Sequence, residues 1–148
     1  MAAQFSLIAK LTNTALQRTA QNATNGGSFI VENFVIGNAG HDPSNTALAF
    51  APDPTIGDIC TGADCPGVAI AAKAISEVVF PEPKCPVFKC ELSLGEYVGE
   101  FSQLLLLARV TTSGAADEGQ YFVFAVANSP LKNVTITDAA VLQVGVQY

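Results

Sequence analysis

Two apolar runs constrain this chain more than any other feature. Residues 101–111 read FSQLLLLARVT, residues 121–127 read YFVFAVA, and a Gly-, Ala- and acid-rich segment, residues 112–120, separates them. Both are far shorter than the roughly 18 apolar residues that cross a bilayer as a helix. Continuous apolar character of this length is typical of a buried strand, and the aromatic and β-branched residues of the second run favour a strand as well. The chain is therefore predicted to fold around a sheet that buries both runs.

Further segments carry the marks of strands. Residues 28–36, 73–80 and 134–137 are rich in β-forming residues, and residues 86–94 and 140–148 alternate between faces. In residues 86–94, one face carries Phe88, Cys90, Leu92 and Leu94. In residues 140–148, one face carries Leu142, Val144, Val146 and Tyr148. Turns are predicted at residues 95–99 and 128–130, where Gly, Asn, Ser and Pro cluster.

A helix is predicted over residues 5–23. Its apolar side chains recur at spacings of three and four, on one stripe formed by Phe5, Ile8, Leu11, Ala15 and Leu16. Ser6 is the candidate N-cap, and Asn25-Gly26-Gly27 is expected to end the helix because glycine tolerates positive φ. Two roles stay open for this helix: it covers a sheet, or it faces outward as a docking element.

These elements predict a single domain over residues 1–148, since the length is that of one ordinary domain. The predicted fold class is α+β and mostly β. An N-terminal helix packs on an antiparallel sheet or sandwich of about six or seven strands. One long loop, residues 38–67, precedes a strand-rich part, residues 68–148.

The long loop is the predicted docking feature. It is rich in Gly and Pro, which favour turns and irregular structure, although residues 47–50 could form a short helical turn. A loop of this length in a compact domain usually has a function or a partner. The candidate docking residues are Asn38, His41, Asp42, Pro43, Phe50, Pro52 and Pro54.

Charge composition points to protein partners. Only 14% of the residues are charged, against roughly 25% in typical soluble domains, which indicates that much of the surface meets other protein. The net charge is −6, and no basic cluster stands out. Nucleic-acid binding is therefore not expected, because it needs phosphate-neutralising cations. Neither membrane insertion nor a secretory signal is expected.

No catalytic, cofactor or metal site is predicted. The chain has one histidine, and His41-Asp42 is favoured as a polar turn before Pro43 over a general base and its orienting carboxylate. No nucleophile motif such as G-x-S-x-G is present. The carboxylates of Glu91, Glu96 and Glu100 are expected on a solvated strand face and turn.

Four cysteines leave three interpretations open. They occur as Cys60-x4-Cys65 and Cys85-x4-Cys90, both beside prolines. Disulfides, free buried thiols and a metal site are all compatible with these spacings, although zinc prefers two to four intervening residues. If residues 86–94 form a strand, Cys85 and Cys90 point to opposite faces. That geometry disfavours a bridge between the two and a four-cysteine tetrahedron.

The order of segments resembles a known family. The phrases are LTNTAL at 11–16, GSFIVENFVIGNAGHDP at 27–43, GEFSQLLLLAR at 99–109 and FVFAVANSPL at 122–131. Together they resemble the N-terminal domain of phage tail-collar and tail-fibre proteins. Ser102-Gln103 stands where that family usually has a glycine, and the cysteine-bearing loop is not a familiar part of it.

The resemblance implies a virion structural protein of the tail tip that joins tail fibres to the baseplate and performs no chemistry. Its expected partners are baseplate and tail-fibre proteins of the same virion, and its expected state is a homo-oligomer, a trimer by analogy with fibres. Its expected location is the baseplate region of the tail, after assembly in the host cytoplasm. Oxidised cysteines would lock the loop or cross-link neighbouring subunits.

Two other functions stay open. One is a receptor- or glycan-binding module of a virion or cell surface, for which Phe50 and Tyr97 are the candidate loop aromatics. The other is a small metal-binding or hydrolytic enzyme, which the single histidine and the lack of a motif disfavour.

Overall fold

The computed structural model describes residues 2–55, 73–93, 99–134 and 139–146. Within these ranges the chain forms one helix and ten strands. The elements are β1 Ala2–Leu11, α1 Asn13–Asn25, β2 Phe29–Gly37, β3 His41–Asp42, β4 Asn45–Ala49, β5 Lys73–Ala74, β6 Glu77–Glu82, β7 Cys85–Leu92, β8 Gly99–Val110, β9 Tyr121–Val134 and β10 Ala139–Val146. The prediction of a mostly β single domain with one helix is confirmed at this level.

Eight of the described strands form one large curled sheet in the order β5-β2-β8-β9-β1-β10-β7-β6. The predicted number, six or seven, is too low. Strand β1 joins the two halves of the sheet. Its residues 2–9 pair parallel with β10, and Lys10 and Leu11 pair antiparallel with β9. The parallel pair departs from the expected antiparallel sheet, because the first strand of the chain inserts beside the last described one.

The predicted helix over residues 5–23 is wrong in its first half, which is strand β1. The side chains of Leu7, Ala9 and Leu11 are buried, whereas Ile8 is 78% exposed. This burial has the period of two that a strand requires. A short segment with apolar residues at positions 5, 7, 8, 9 and 11 suits both periods, so the backbone partners on either side decide between them.

Helix α1 begins at Thr12, which replaces Ser6 as the N-cap. The Thr12 hydroxyl accepts a hydrogen bond from Ala15 N at 3.0 Å and donates one to Val123 O at 2.6 Å. The cap thus also fastens the helix to β9. The helix ends at Gly26, where φ is 75°, as the Asn-Gly-Gly sequence predicted. It rests on the sheet through buried Ala15 and through Arg18, whose guanidinium lies 4.8 Å from the Phe122 ring centre.

The main core lies between the two halves of the curled sheet. Phe5 packs edge-on against Phe101 at a ring separation of 5.1 Å, and Phe88 approaches Phe124 at 6.5 Å. A second, smaller core covers the opposite face of the central strands and consists of Val35, Leu105, Leu107, Val123 and Val126. Strands β8 and β9 are therefore buried on both faces, which confirms that both apolar runs are buried strands.

A hydrogen-bonded cluster ties three strands together beside the smaller core. The bulge between Val31 and Asn33 carries Glu32 on β2, and its Oε1 accepts hydrogen bonds from Arg109 Nε at 2.9 Å and from the Tyr121 hydroxyl at 2.6 Å. These two donors hold the pKa of the Glu32 carboxyl below its usual range, the arginine having the larger effect.

Two local predictions are wrong. Residues 128–130 do not turn the chain, since β9 continues to Val134. Phe101 pairs with Lys132 and Gln103 with Asn128, so Ser102 alone faces the three residues 129–131. Such a bulge tolerates Pro130, which has no N–H to give to the ladder. Residues 47–50 are not helical either, because residues 45–49 form strand β4.

Substitutions at Leu7 and Ile8 test the strand assignment of β1. We expect Leu7→Ala to lower the free energy of unfolding by about 2–4 kcal/mol, because it empties a buried core position. Ile8→Ala removes an exposed side chain and should cost less than about 0.5 kcal/mol. Urea denaturation followed by circular dichroism measures both. A larger loss at Ile8 than at Leu7 would mean that this segment is not the strand described.

Candidate functional site

The segment predicted as a docking loop contains a small hairpin. Residues 38–55, called the docking segment below, include β3 and β4, in which His41 pairs with Ala49 and Asp42 with Asn45. Asp42 Oδ1 accepts a hydrogen bond from Ser44 N at 2.8 Å and so stabilises the turn. The favoured interpretation of this spot as a polar turn agrees with that contact. Residues 56–67 of the predicted loop lie outside the described residues.

Ser102 on β8 anchors the base of the hairpin. Its Oγ accepts a hydrogen bond from Gly40 N at 3.0 Å and lies 2.8 Å from His41 Nδ1. Ser102 is 1% exposed, so these protein partners replace water around its hydroxyl. A Cβ at Gly40 would overlap the carbonyl oxygen of Ser102. Glycine is thus required for the hairpin to approach β8 this closely.

A second anchor holds the return path of the segment. Asn128 Nδ2 donates to Phe50 O at 3.3 Å, while Asn128 Oδ1 accepts from Gln103 Nε2 at 3.3 Å. Asn13 N donates to Pro54 O at 2.7 Å. The docking segment therefore extends from the β8–β9 bulge to the start of α1, with backbone or side-chain contacts at both places.

A cleft of about 270 Å³ lies beside the segment. Its described lining residues are Ala39, Phe50, Ala51, Asp53, Gln103, Leu105 and Asn128. The walls are largely carbon, and the amides of Gln103 and Asn128 supply polar groups. Asp53 Oδ1 accepts hydrogen bonds from Thr55 Oγ1 at 2.6 Å and Thr55 N at 2.9 Å. These bonds lower the pKa of the Asp53 carboxyl and hold it in place.

The docking segment presents apolar side chains and negative charge. Leu48 is 54% exposed and Phe50 46%, and both belong to the same face by strand alternation. Between Glu32 and Lys73 the sequence has four aspartates and no lysine or arginine. Two of these aspartates, Asp42 and Asp53, belong to the docking segment.

The other predicted docking residues differ in their exposure to solvent. Asn38 and Pro43 are exposed, whereas Pro52 and Pro54 are half-buried. The sequence interpretation missed Ser102, Gln103 and Asn128, which hold the segment. A signal for them exists, because each is a polar residue beside or within an apolar run that forms a strand.

The structure describes two of the four cysteines. Cys85 and Cys90 are both free, so of the three interpretations left open, the free thiol applies to these two. Cys90 is fully buried, and burial raises the pKa of its thiol to about 12. Cys85 is half-buried, with its sulfur 3.7 Å from Glu82 Oε2. Cys60 and Cys65 lie outside the described residues, and within the described ranges no three potential metal-ligating side chains of His, Cys, Asp or Glu converge.

The residues considered for catalysis do not converge in the described part of the chain. His41 contacts Ser102, while the carboxylate of Asp42 is engaged by Ser44. Glu91 and Glu100 are exposed on β7 and β8. Glu96 and Tyr97 lie outside the described residues. No helix among the described ranges is long and apolar enough to traverse a bilayer.

Comparisons with protein-family models, with curated proteins and with solved structures found no match to this chain. The resemblance to phage tail-collar and tail-fibre domains therefore depends on the sequence phrases alone and stays a prediction.

Removing the Ser102 hydroxyl should loosen the docking segment. In Ser102→Ala, Gly40 N and His41 lose their partner inside the protein, at a cost of about 1–3 kcal/mol. We expect faster amide exchange at Phe50, whose N–H bonds to Gly40 O, measured by NMR. Ser129→Ala is the matched control, because that buried hydroxyl bonds to the adjacent Pro130 O and, within the described ranges, to no part of the docking segment. Unchanged exchange in Ser102→Ala would contradict the anchoring role.

The two described cysteines should differ in reactivity. Only the thiolate reacts readily, so we expect Cys85 to be alkylated by iodoacetamide more than about tenfold faster than Cys90 in the native protein. Trypsin cleavage after Lys89 separates the two residues for mass spectrometry. Labelling in denaturant should equalise the rates. Equal rates without denaturant would show that Cys90 is not buried.

Proposed function

We propose that this protein is a structural protein of a bacteriophage tail tip, which joins tail fibres to the baseplate through protein–protein contacts. The observation that carries the proposal is the docking segment, which presents Leu48 and Phe50 to solvent while Ser102 and Asn128 hold it on the sheet. The placement in a phage tail comes from the sequence resemblance, and the contact surface comes from this geometry.

Apolar exposure on an anchored hairpin favours a binding role. Complete burial of a Leu or Phe side chain contributes about 1.5–3 kcal/mol. Leu48 and Phe50 are each about half exposed, so covering them contributes on the order of 1 kcal/mol each. Because the docking segment is already held at its base, little conformational entropy is lost when it binds a partner. The low charged fraction of the chain suits a protein whose surface is shared with neighbours.

A competing surface is the edge of the curled sheet at β6, which is the outermost strand on that side among the described residues. Val78 is 39% exposed there and Phe80 66%. However, Pro81 removes a backbone donor from this edge, and Glu77 and Glu82 place charges along it. Prolines and charges are the features that keep edge strands from pairing with other chains. Strand β4 of the docking segment, Asn45–Ala49, has neither proline nor a charged residue, which favours it as the contact surface.

One observation favours the second candidate function, a receptor- or glycan-binding module. A polar cleft of about 360 Å³ lies between α1 and the loop after β8, and Arg18, Gln21, Asn22, Asn25, Gly27, Thr112, Ala115 and Asp117 line it. Amide and carboxylate groups offer both donors and acceptors to a hydroxyl-rich ligand. Binding of the isolated protein to a glycan array, lost in Asn22→Ala, would favour this function over the structural one.

The structural role is tested in phage particles purified from infected cells. Immunogold labelling with an antibody to this chain should mark the tail tip. We expect Leu48→Asp to reduce incorporation roughly tenfold or more, because it replaces an apolar contact with a charge that would be buried.

Ala47→Asp is the matched control, since Ala47 is exposed on the same strand and, by alternation, on the opposite face from Leu48. It should be incorporated like the unaltered protein. Particles without label, or equal incorporation of Leu48→Asp and Ala47→Asp, would reject the proposed contact surface.

A further inference from the structure

We propose that the cleft beside the docking segment binds an arginine side chain from a different protein. The stem of that side chain would lie against Ala51 and the Phe50 ring, with its guanidinium on Asp53. This inference rests on the proposed docking role and names the chemistry of the partner.

The cleft has the walls that a long side chain with a charged end needs. Ala39, Phe50 and Ala51 supply exposed carbon surface, and Leu105, which is only 2% exposed and belongs to the smaller core, also borders the cleft. Phe50 is 46% exposed and therefore has ring surface left for a ligand. Arginine stacks on aromatic rings while its carbon stem covers apolar surface.

Two acceptors line the same cleft. Asp53 uses Oδ1 to accept both hydrogen bonds from Thr55, and no described residue bonds to its Oδ2. Gln103 gives Nε2 to Asn128, while its Oε1 has no partner among the described residues. A guanidinium has five N–H donors in a fixed fork and no acceptor, so it fits a carboxylate and an amide oxygen better than a compact ammonium does.

Negative charge at the cleft favours a cationic ligand over an anionic one. Asp42 and Asp53 belong to the docking segment, and residues 38–55 contain no lysine or arginine. A cationic ligand is therefore attracted by more than the carboxylate that lines the cleft, which raises the rate of association more than the final affinity. A carboxylate or phosphate ligand would meet uncompensated negative charge there.

The arginine must come from another protein, because this chain has none to spare. Its two arginines are Arg18 and Arg109. Arg18 pairs with Asp117 at 2.8 Å, and Arg109 pairs with Glu32 at 2.9 Å. A second copy would have to break one of these contacts to fill the cleft, which favours a heterologous partner.

The test is an NMR titration of the full chain with the peptide acetyl-Gly-Arg-Gly-amide. We expect shifts at the amides of Phe50, Ala51, Asp53, Gln103 and Leu105. The same peptide with citrulline, which keeps the shape and lacks the charge, should bind at least about tenfold more weakly, since charge-assisted hydrogen bonds are the stronger ones. Shifts elsewhere, or equal binding of the citrulline peptide, would overturn the inference.

Two matched variants test whether the charge of Asp53 binds the arginine. Asp53→Asn keeps the Oδ1 acceptor for Thr55 and removes the charge, so the fold should be retained and arginine binding should fall about tenfold. Asp42→Asn is the control, because Asp42 bonds to Ser44 N in the same way but does not line the cleft. Equal losses of arginine binding in the two variants would mean that the overall negative charge attracts the peptide and that the cleft is not a defined site. A lysine peptide that binds as tightly as the arginine peptide would overturn the assignment to arginine.

The outcomes separate this inference from the proposed function. Arginine binding in solution, without incorporation into particles, would reject the tail-tip role and keep the cleft. Incorporation that depends on Leu48, without arginine binding, would reject the cleft and keep the role.

Discussion

The pairing of β1 with both β9 and β10 is the interaction on which the fold depends. It places the first strand of the chain between the two halves of the sheet, parallel to one and antiparallel to the other. Without it, β9 and β10 would each have an unpaired edge, and the main core would open between them. The partners of β1 are more than a hundred residues away along the chain, so this pairing carries a large loop-closure entropy that packing must offset. Buried Leu7, Ala9 and Leu11 supply part of that packing.

The candidate site follows from an irregularity in the same sheet. Where β8 and β9 pass the bulge at Ser102, their ladder is interrupted and polar side chains occupy the gap. Ser102 and Asn128 then satisfy backbone groups of the docking segment in place of a neighbouring strand. Buried polar groups are stabilising only when their hydrogen bonds are made. The sheet and the docking segment therefore depend on each other at this point, beside the cleft that both of them line.

The surface divides into protected and unprotected parts. The β6 edge carries proline and glutamate, whereas strand β4 of the docking segment carries neither and exposes Leu48. Apolar side chains surrounded by charge of one sign favour a partner with apolar residues and the opposite charge. Specificity then comes from the charge, and affinity from the area that is covered.

The sequence by itself determined the mostly β class, the buried runs of β8 and β9, the alternation of β7 and β10, and the Gly26 end of the helix, because these signals are local and repeat over many residues. It also marked the docking segment through its turns. Only the tertiary structure decided that residues 5–11 are a strand, that β9 continues past Pro130 and that the segment after Gly37 forms a hairpin. In each case the local pattern suits two conformations. The choice depends on hydrogen-bond partners that lie far away in the chain: β10 for β1, the bulged strand β8 for β9, and the Ser102 hydroxyl for the hairpin.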